Sequence, residues 1–202
     1  MATGFQIDRQ DRISILRLIS DDNRNRLTYR LILTLAAALR DLASEMRPLV
    51  ITGSHDYFSV GADLNEITAL SGPEAYEFAK SGQTLMNVVA HFPALVTAAI
   101  SGFCMGGGLD LALACHRRIA APRATFGLRG AALGLMTGWG GTQRLPRLVG
   151  KACALQVFAT ADAITAAEAL RIGLVDYIAD DPVTDALRRS EGPGLRASPM
   201  LL

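Results

Sequence analysis

The sequence predicts an α/β fold made of stacked ββα units, which form a superhelix with two packed sheets. Two observations support this prediction. Short apolar segments come in pairs before the helical patterns, and 50% of the 202 residues are hydrophobic, enough to fill one sizeable core. A doubly wound sheet, in which strands and helices alternate singly, fits this order less well. We expect a core over residues 1–180 and a short C-terminal tail over residues 181–202.

The N-terminal part begins with two segments rich in Ile, Leu and Phe, 5–10 and 12–19, which are predicted to pair as strands. Over residues 28–46 apolar residues recur at spacings of three and four, so an amphipathic helix is expected with Thr28 as its N-cap. Residues 48–53 then have the continuous apolar pattern of a buried strand, closed by a glycine.

A second helical pattern starts near Pro73, a residue that the first turn of a helix tolerates, and continues towards Phe92. Further strands are expected over residues 94–100, 118–121, 124–126 and 174–178, and further helices over 109–115, 141–148, 151–160 and 166–171. The proline- and glycine-containing segment 180–202 is expected to form a short helix followed by loosely ordered chain.

The overall composition excludes two classes of partner. Lysine and arginine number 20 against 19 acidic residues, for a net charge of +1, so neither nucleic acid nor an anionic membrane surface is an expected partner. Three cysteines occur without a C-x-x-C pair, which predicts reduced thiols and a cytoplasmic location. No apolar run approaches the roughly 18 residues of a membrane helix, and the N-terminus has no apolar signal core. The ligand is therefore expected in a pocket.

The most informative segment is Gly106-Gly107-Gly108, which lies between an apolar strand and an apolar helix. Glycine lets a substrate approach the backbone closely, and N–H groups at a helix N-terminus are unpaired at the positive end of the helix dipole. Such groups can stabilise negative charge that develops on an oxygen. A second loop, Phe58 to Leu64, also follows a strand and enters a helix. The alternative is a tight turn in which glycine only relieves crowding.

Several motifs resemble, in order and spacing, the signature of the crotonase (enoyl-CoA hydratase/isomerase) family. The resemblance runs from about Phe5 to Ala179. Besides the two glycine loops, the motifs that carry it are Asn25-Arg26-Leu27, Ile51-Thr52-Gly53, Gly138 to Leu145, Thr165 to Ala169 and Gly173-Leu174-Val175. The resemblance implies a crotonase-like superhelix and a homo-oligomer, either a trimer or a hexamer. It also implies an acyl-CoA substrate, with coenzyme A as part of the thioester and no permanently bound cofactor.

In this family the oxyanion hole consists of the backbone N–H groups of the residues that match Ala62 and Gly107. It stabilises the thioester enolate that forms when a bond at the α-carbon is made or broken. Family hydratases use two glutamates, one to activate water and one to protonate the α-carbon, and the matching positions here are Asp110 and Gly130. Asp110 completes the expected catalytic set. The resemblance implies substrate contacts from Arg24, Val60, Asp63, Leu64, Gly106, Arg129, Gly130 and Trp139.

Three of these residues keep a second interpretation. An aspartate such as Asp110 in the first helical turn is favourable through the helix dipole alone. Arg129 is either an anchor for an anionic group of the substrate or an ordinary exposed arginine. Trp139 either shapes the acyl pocket or only packs. The histidines have no metal-like spacing, so no metal is expected, and no dinucleotide-binding fingerprint is present.

Three functions remain open. The first is enoyl-CoA hydration or dehydration with Asp110 as the single carboxylate. The second is decarboxylation of a carboxyacyl-CoA, which needs the oxyanion hole and a group such as Arg129 to hold the leaving fragment. The third is a non-catalytic descendant that binds acyl-CoA or a partner subunit. It is suggested by Gly130 and by a C-terminal helical region that is shorter than the family's.

Overall fold

The computed structural model describes residues 3–190, with side chains from residue 4 onward. The chain begins with a strand pair, a two-residue strand and a helix, which are β1 (Thr3–Gln10), β2 (Ile13–Ser20), β3 (Arg26–Leu27) and α1 (Tyr29–Ala43). Strands β1 and β2 pair antiparallel along their whole length, which confirms the predicted strand pair. Thr28 is the N-cap of α1, as predicted, because its hydroxyl oxygen accepts a hydrogen bond from the Leu31 N–H over 3.2 Å.

Three ββα units follow along the chain. The first consists of β4 (Leu49–Thr52), β5 (Tyr57–Ser59), β6 (Gly61–Ala62), α2 (Leu64–Ala69) and α3 (Gly72–Ala90). The second consists of β7 (Val96–Ile100), β8 (Phe103–Met105) and α4 (Gly107–Ala114). The third consists of β9 (Arg117–Ala120), β10 (Thr125–Gly127), a 3-10 helix (Arg129–Leu133), α5 (Gly141–Val149) and α6 (Lys151–Thr160).

Each unit gives its first strand to one sheet and its second strand to another. The larger sheet has the order β1-β2-β4-β7-β9-β12, and the smaller has the order β11-β10-β8-β5. The remaining elements are β11 (Ile164–Thr165), α7 (Ala166–Arg171), β12 (Tyr177–Ile178) and α8 (Pro182–Ser190). The strands contributed by the three units are parallel within each sheet. A third, two-stranded sheet pairs β3 with β6. The predicted arrangement of stacked ββα units with two main sheets is therefore confirmed.

The first two units pass from one sheet to the other at a glycine. A Cβ atom at Gly53 would lie 2.3 Å from the Tyr57 carbonyl oxygen, and one at Gly102 would lie 2.0 Å from the Asp56 carbonyl oxygen. The Phe103 N–H donates a hydrogen bond to that Asp56 oxygen over 2.8 Å. The two turns therefore stack directly on each other, and only glycine leaves room for the contact.

The large sheet is covered on both faces. Helices α1, α3 and α4 supply much of the main core, whereas α8 covers a smaller cluster on the other face through Ala186. Asp185 of α8 is buried and accepts a hydrogen bond from Arg189 over 2.5 Å. The predicted short helix after residue 180 is therefore present. The predicted division into a core and a tail at residue 180 stays a prediction, because residues 191–202 lie outside the described part of the chain.

The last predicted strand, residues 174–178, is shorter than expected. Gly173 has a φ of 79°, and the chain enters β12 only at Tyr177. Leu174 and Val175 are apolar because they pack in the core, not because they pair in a sheet. None of the helices in residues 3–190 is both long enough and apolar enough to cross a membrane.

Candidate functional site

A cavity of about 410 Å³ lies where β6, α2 and α3 meet the start of α4 and the segment around the 3-10 helix. It brings together most of the residues that the sequence indicated. The predicted site residues that line it are Val60, Ala62, Leu64, Gly106, Gly107, Asp110, Arg129, Gly130 and Trp139. Residues from segments more than 70 positions apart along the chain therefore meet at one place, as the resemblance implied.

Two of the predicted substrate contacts lie outside this cavity. Asp63 is the N-cap of α2, where its carboxylate accepts a hydrogen bond from the Asn65 N–H over 2.9 Å. Arg24 has an exposed side chain, and its carbonyl oxygen accepts a hydrogen bond from the Val60 N–H over 3.0 Å. Both residues thus shape the loop beside the cavity, and their contact with a substrate stays a prediction.

The backbone of β6 touches the backbone at the start of α4. Gly61 has a φ of 91°, and a Cβ atom on it would lie 2.6 Å from the Gly107 nitrogen and 2.8 Å from the Met105 carbonyl oxygen. Only glycine permits this approach. Gly107 is the first residue of α4, so its N–H group has no partner within the helix. Ala62 follows Gly61 directly, which brings both expected oxyanion donors to the border of the same cavity.

A buried hydrogen-bond network holds the loop before Gly61. The Asn25 side chain donates to the carbonyl oxygens of Tyr57 and Phe58 over 2.9 and 3.2 Å. The Ser59 hydroxyl donates to the Asn25 carbonyl oxygen over 2.7 Å and accepts from the Gly61 N–H over 3.0 Å. Asn25 belongs to the motif Asn25-Arg26-Leu27, and these hydrogen bonds give a physical reason for its asparagine. The sequence alone did not predict them.

Asp110 is almost fully buried, with 2% of its surface exposed, in the first turn of α4. Its Oδ2 atom accepts a short hydrogen bond from the Thr137 hydroxyl. Its Oδ1 atom is also buried and has no hydrogen-bond partner among the described residues. This oxygen lies against Gly141, where a Cβ atom would come within 2.3 Å of it. The carboxyl group is therefore enclosed on both sides.

Burial raises the pKa of the Asp110 carboxyl group from its ordinary 3.8 to about 6. The Thr137 hydroxyl and the positive charge of Arg144 oppose this shift but do not overcome it. The nearby N–H groups of Trp139 and Gly141 also favour the charged form, although neither reaches Oδ1 in hydrogen-bonding geometry. A carboxyl group with this pKa can both accept and give up a proton near neutral pH.

The cavity has one carboxylate. Among the described residues that line it, only Asp110 and Arg129 have side chains that carry charge. At Gly130 a Cβ atom would lie 2.8 Å from the Leu135 carbonyl oxygen, so the backbone leaves little room for a side chain there. No group of three His, Cys, Asp or Glu side chains within residues 3–190 is placed to hold a metal ion.

Comparison with known proteins decides the family. The family model described as "Enoyl-CoA hydratase/isomerase" matches residues 8–190. The chain belongs to the enoyl-CoA hydratase/isomerase family. This confirms the resemblance inferred from the sequence motifs.

Relatives named in the same terms support this assignment. A protein of Bacillus subtilis named "Probable enoyl-CoA hydratase" is 41% identical over 174 residues, which are 85% of this chain and 67% of the relative. A "Crotonyl-CoA hydratase" of Syntrophomonas wolfei is 41% identical over 177 residues, with the same coverage. The crystal structure of an enoyl-CoA hydratase from Bacillus anthracis is 32% identical and superposes with a TM-score of 0.88, over 93% of this chain and 75% of that one.

The walls of this enoyl-CoA hydratase/isomerase cavity are mostly apolar, and the sequence analysis missed most of them. Their side chains come from α2, α3, α6 and the segment around the 3-10 helix. Examples are Ile67, Leu70, Phe78, Leu128, Leu135, Met136 and Phe158. Their apolar character is visible in the sequence, but nothing local distinguishes them from ordinary core residues.

Trp139 both lines the cavity and packs in the core, so its two interpretations are compatible. It is 4% exposed, and its ring lies 5.4 Å from that of Phe78. A Cβ atom at Gly82 or Gly107 would come within 2.2 Å of the indole. The indole therefore occupies a space between α3 and α4 that exists only because both helices carry a glycine there.

Gly82→Ala is expected to destabilise the protein by about 1–3 kcal/mol, because the added methyl group overlaps the Trp139 indole. Gly72→Ala, in the same helix, is the matched control, since a Cβ atom there meets nothing within 4 Å. Gly72 is the first residue of α3, where helix propensity contributes little, so that substitution is expected to change stability by no more than about 0.5 kcal/mol. Urea unfolding of both variants measures the difference, and equal effects would contradict this packing role of Trp139.

Proposed function

We propose that this protein adds water to 2-enoyl thioesters of coenzyme A, and removes water from the corresponding 3-hydroxyacyl thioesters. The observation that supports this most is a single buried carboxyl group, Asp110, in the same cavity as the backbone contact between Gly61 and Gly107. The relative from Syntrophomonas wolfei carries the name "Crotonyl-CoA hydratase", which points to the same reaction.

The reaction needs two kinds of group, and the cavity offers candidates for both. In the proposed complex, the thioester oxygen accepts hydrogen bonds from the N–H groups of Ala62 and Gly107. These bonds strengthen as the oxygen gains negative charge in the enolate. Asp110 is the proton acceptor when water attacks the β-carbon, and its pKa of about 6 keeps it mostly charged at neutral pH. Apolar walls surround the acyl chain and exclude bulk water.

The burial of Asp110 argues against the non-catalytic alternative. An aspartate kept charged in an apolar cavity lowers the stability of the fold, and such groups are typical of active sites. The decarboxylation alternative rests on Arg129, which lines the cavity but is exposed. Apolar side chains dominate the rest of the walls, which favours an acyl chain without a second carboxylate. Hydration therefore has the better support.

The ligand in this proposal is an acyl-CoA thioester, and no resident cofactor is required for the chemistry. Exposed apolar side chains around the 3-10 helix and on α6, such as Leu133, Met136 and Leu155, are consistent with a homo-oligomer. A trimer or a hexamer is the proposed assembly, and light scattering on the purified protein measures it. A cytoplasmic location belongs to the same proposal.

A panel of acyl-CoA thioesters tests the proposed reaction. Crotonyl-CoA and longer 2-enoyl-CoA thioesters are incubated with the protein, and the loss of enoyl absorbance is followed. Mass spectrometry identifies the products. The expected result is a product heavier by one water molecule. If the protein releases carbon dioxide from a carboxyacyl-CoA and hydrates no enoyl-CoA, the proposed reaction is wrong and decarboxylation is the function. Binding without turnover of any thioester would support the non-catalytic alternative.

A further inference from the structure

The hydroxyl group of Thr137 contacts the Asp110 carboxyl group at the wall of the cavity. Thr137 lines the same cavity wall as Asp110, and its side chain is only partly buried. Its Oγ1 atom donates to Asp110 Oδ2. The other carboxyl oxygen, Oδ1, is buried against Gly141. With 2% of its surface exposed, Asp110 presents little to the cavity, and its one hydrogen-bonded oxygen is the one that Thr137 contacts, so the Thr137 hydroxyl offers a route for a proton between the cavity and Asp110.

Hydration requires a second proton transfer, and no second acid is available in the described cavity wall. The position that the family resemblance assigns to this task is Gly130, where the Leu135 carbonyl oxygen leaves little room for a side chain. Arg129 is the other charged residue that lines the cavity, but a guanidinium group does not give up a proton near neutral pH. Within the described cavity wall, Asp110 is therefore the only acidic side chain that can supply the proton for the α-carbon.

We propose that Thr137 is a catalytic residue that relays protons between Asp110 and the reacting atoms, so that one carboxyl group serves both proton transfers. This inference rests on the proposed hydration. A hydroxyl group suits a relay because it donates one hydrogen bond and accepts another at the same time. Its donor is already committed to Asp110 Oδ2, which leaves its lone pairs for a proton from the cavity.

The two transfers balance as follows. Water gives a proton to Thr137 Oγ1 while Thr137 gives its own proton to Asp110 Oδ2, and the water oxygen bonds to the β-carbon. The π electrons of the enoyl group move onto the thioester oxygen as an enolate. Asp110 then returns its proton to Thr137 Oγ1 while the Thr137 proton passes to the α-carbon, and the enolate electrons form the new C–H bond. One water has been added, and both side chains are restored.

The electrostatics of Asp110 agree with this double task. Burial raises its pKa to about 6, so the group is charged enough to accept a proton at neutral pH and acidic enough to return it. A carboxylate in contact with water would be a weaker base at this pH, since its pKa would lie lower. The enclosure of Asp110 by Thr137 and Gly141 is thus part of what makes one carboxyl group sufficient.

Hydration of crotonyl-CoA by Thr137→Val and Thr137→Ser tests the relay. Valine keeps the shape of threonine without the hydroxyl, so turnover is expected to fall by about 100-fold or more while KM and CoA thioester binding change little. Serine keeps the hydroxyl and is expected to stay within about tenfold of the wild type. Thr84→Val, at an exposed position of α3, is the matched control and is expected to keep wild-type turnover.

The outcomes separate the relay from the proposed reaction. If the wild type hydrates enoyl-CoA, Asp110→Asn does not, and Thr137→Val retains turnover, water reaches Asp110 directly and only the relay is overturned. A Thr137→Ser protein as inactive as Thr137→Val, with an unchanged melting temperature, also overturns it. If the wild type hydrates no enoyl-CoA, both the proposed function and the relay are wrong. Should valine lower the melting temperature strongly, Thr137→Ala replaces it in the same comparison.

Discussion

Replacement of Asp110 by asparagine is expected to lower hydration turnover by about 100-fold or more and to leave CoA thioester binding nearly unchanged. Asparagine keeps the size of the side chain and can still form a hydrogen bond with Thr137, but it cannot accept a proton from water. Arg129, the other charged side chain of the described cavity wall, cannot replace it as a base. Steady-state kinetics and calorimetry with a non-reactive acyl-CoA measure the two quantities separately.

The same substitution is expected to raise stability at neutral pH. Because the pKa of Asp110 is about 6 in the folded protein and 3.8 ordinarily, the folded state holds the proton more tightly. The free energy of unfolding therefore falls as the pH rises through this interval, by about 3 kcal/mol in total. Asp110→Asn removes that loss, so it is expected to stabilise by about 1–3 kcal/mol near pH 7 and not at all below about pH 4. The lower end of this range applies because Arg144 loses the favourable interaction with the negative charge of Asp110 in the variant.

The pH dependence of wild-type turnover supplies an independent check. Hydration is expected to decline as the pH falls below about 6, because only the charged form of Asp110 accepts a proton. Asp41→Asn, at an exposed position in the last turn of α1, is the control; it should leave turnover unchanged and raise stability by no more than about 1 kcal/mol through the helix dipole. If Asp110→Asn keeps wild-type turnover and is less stable, the role of Asp110 is purely structural, at the N-terminus of its helix.

The fold was predictable from the sequence because its signals are local. Apolar periodicity located α1, and paired apolar segments ending at glycine indicated the ββα units. The glycines at positions 53, 61 and 102 share one cause, which is contact between backbone segments that leaves no room for a Cβ atom, whereas at Gly107 the Trp139 indole takes that room. The error at residues 174–178 has the opposite cause. Leu174 and Val175 have the composition of a strand, but burial in the core and not sheet pairing explains their character.

The site was predictable only where a motif marked it. Asp110 and Thr137 lie 27 residues apart, and no spacing in the sequence indicates that their side chains meet. The same holds for Trp139, which precedes α5 and whose indole fills a space beside Gly82 of α3. Pairings of this kind depend on how α3, α4 and the segment before α5 pack together. The local periodicity of the sequence does not predict that packing.

Gly61→Ala is expected to lower hydration turnover by about 100- to 1000-fold, the usual effect of losing one oxyanion-hole donor. The added Cβ atom would lie 2.6 Å from the Gly107 nitrogen and 2.8 Å from the Met105 carbonyl oxygen, so β6 and α4 must separate. In the proposed complex, the N–H groups of Ala62 and Gly107 would then no longer donate to the same thioester oxygen. Because these bonds matter most in the enolate, kcat is expected to fall more than the affinity for substrate.

The same substitution also strains the backbone, and a control must account for this. Gly61 has a φ of 91°, which costs about 1–3 kcal/mol for a residue with a side chain. Gly150, between α5 and α6, has a similar φ of 83°, but a Cβ atom there meets nothing within 4 Å. Gly150→Ala is therefore expected to carry comparable backbone strain, without the overlap between β6 and α4, and to keep its turnover. If both variants lose turnover equally, strain alone explains the effect, whereas a loss confined to Gly61→Ala ties the reaction to the contact between β6 and α4.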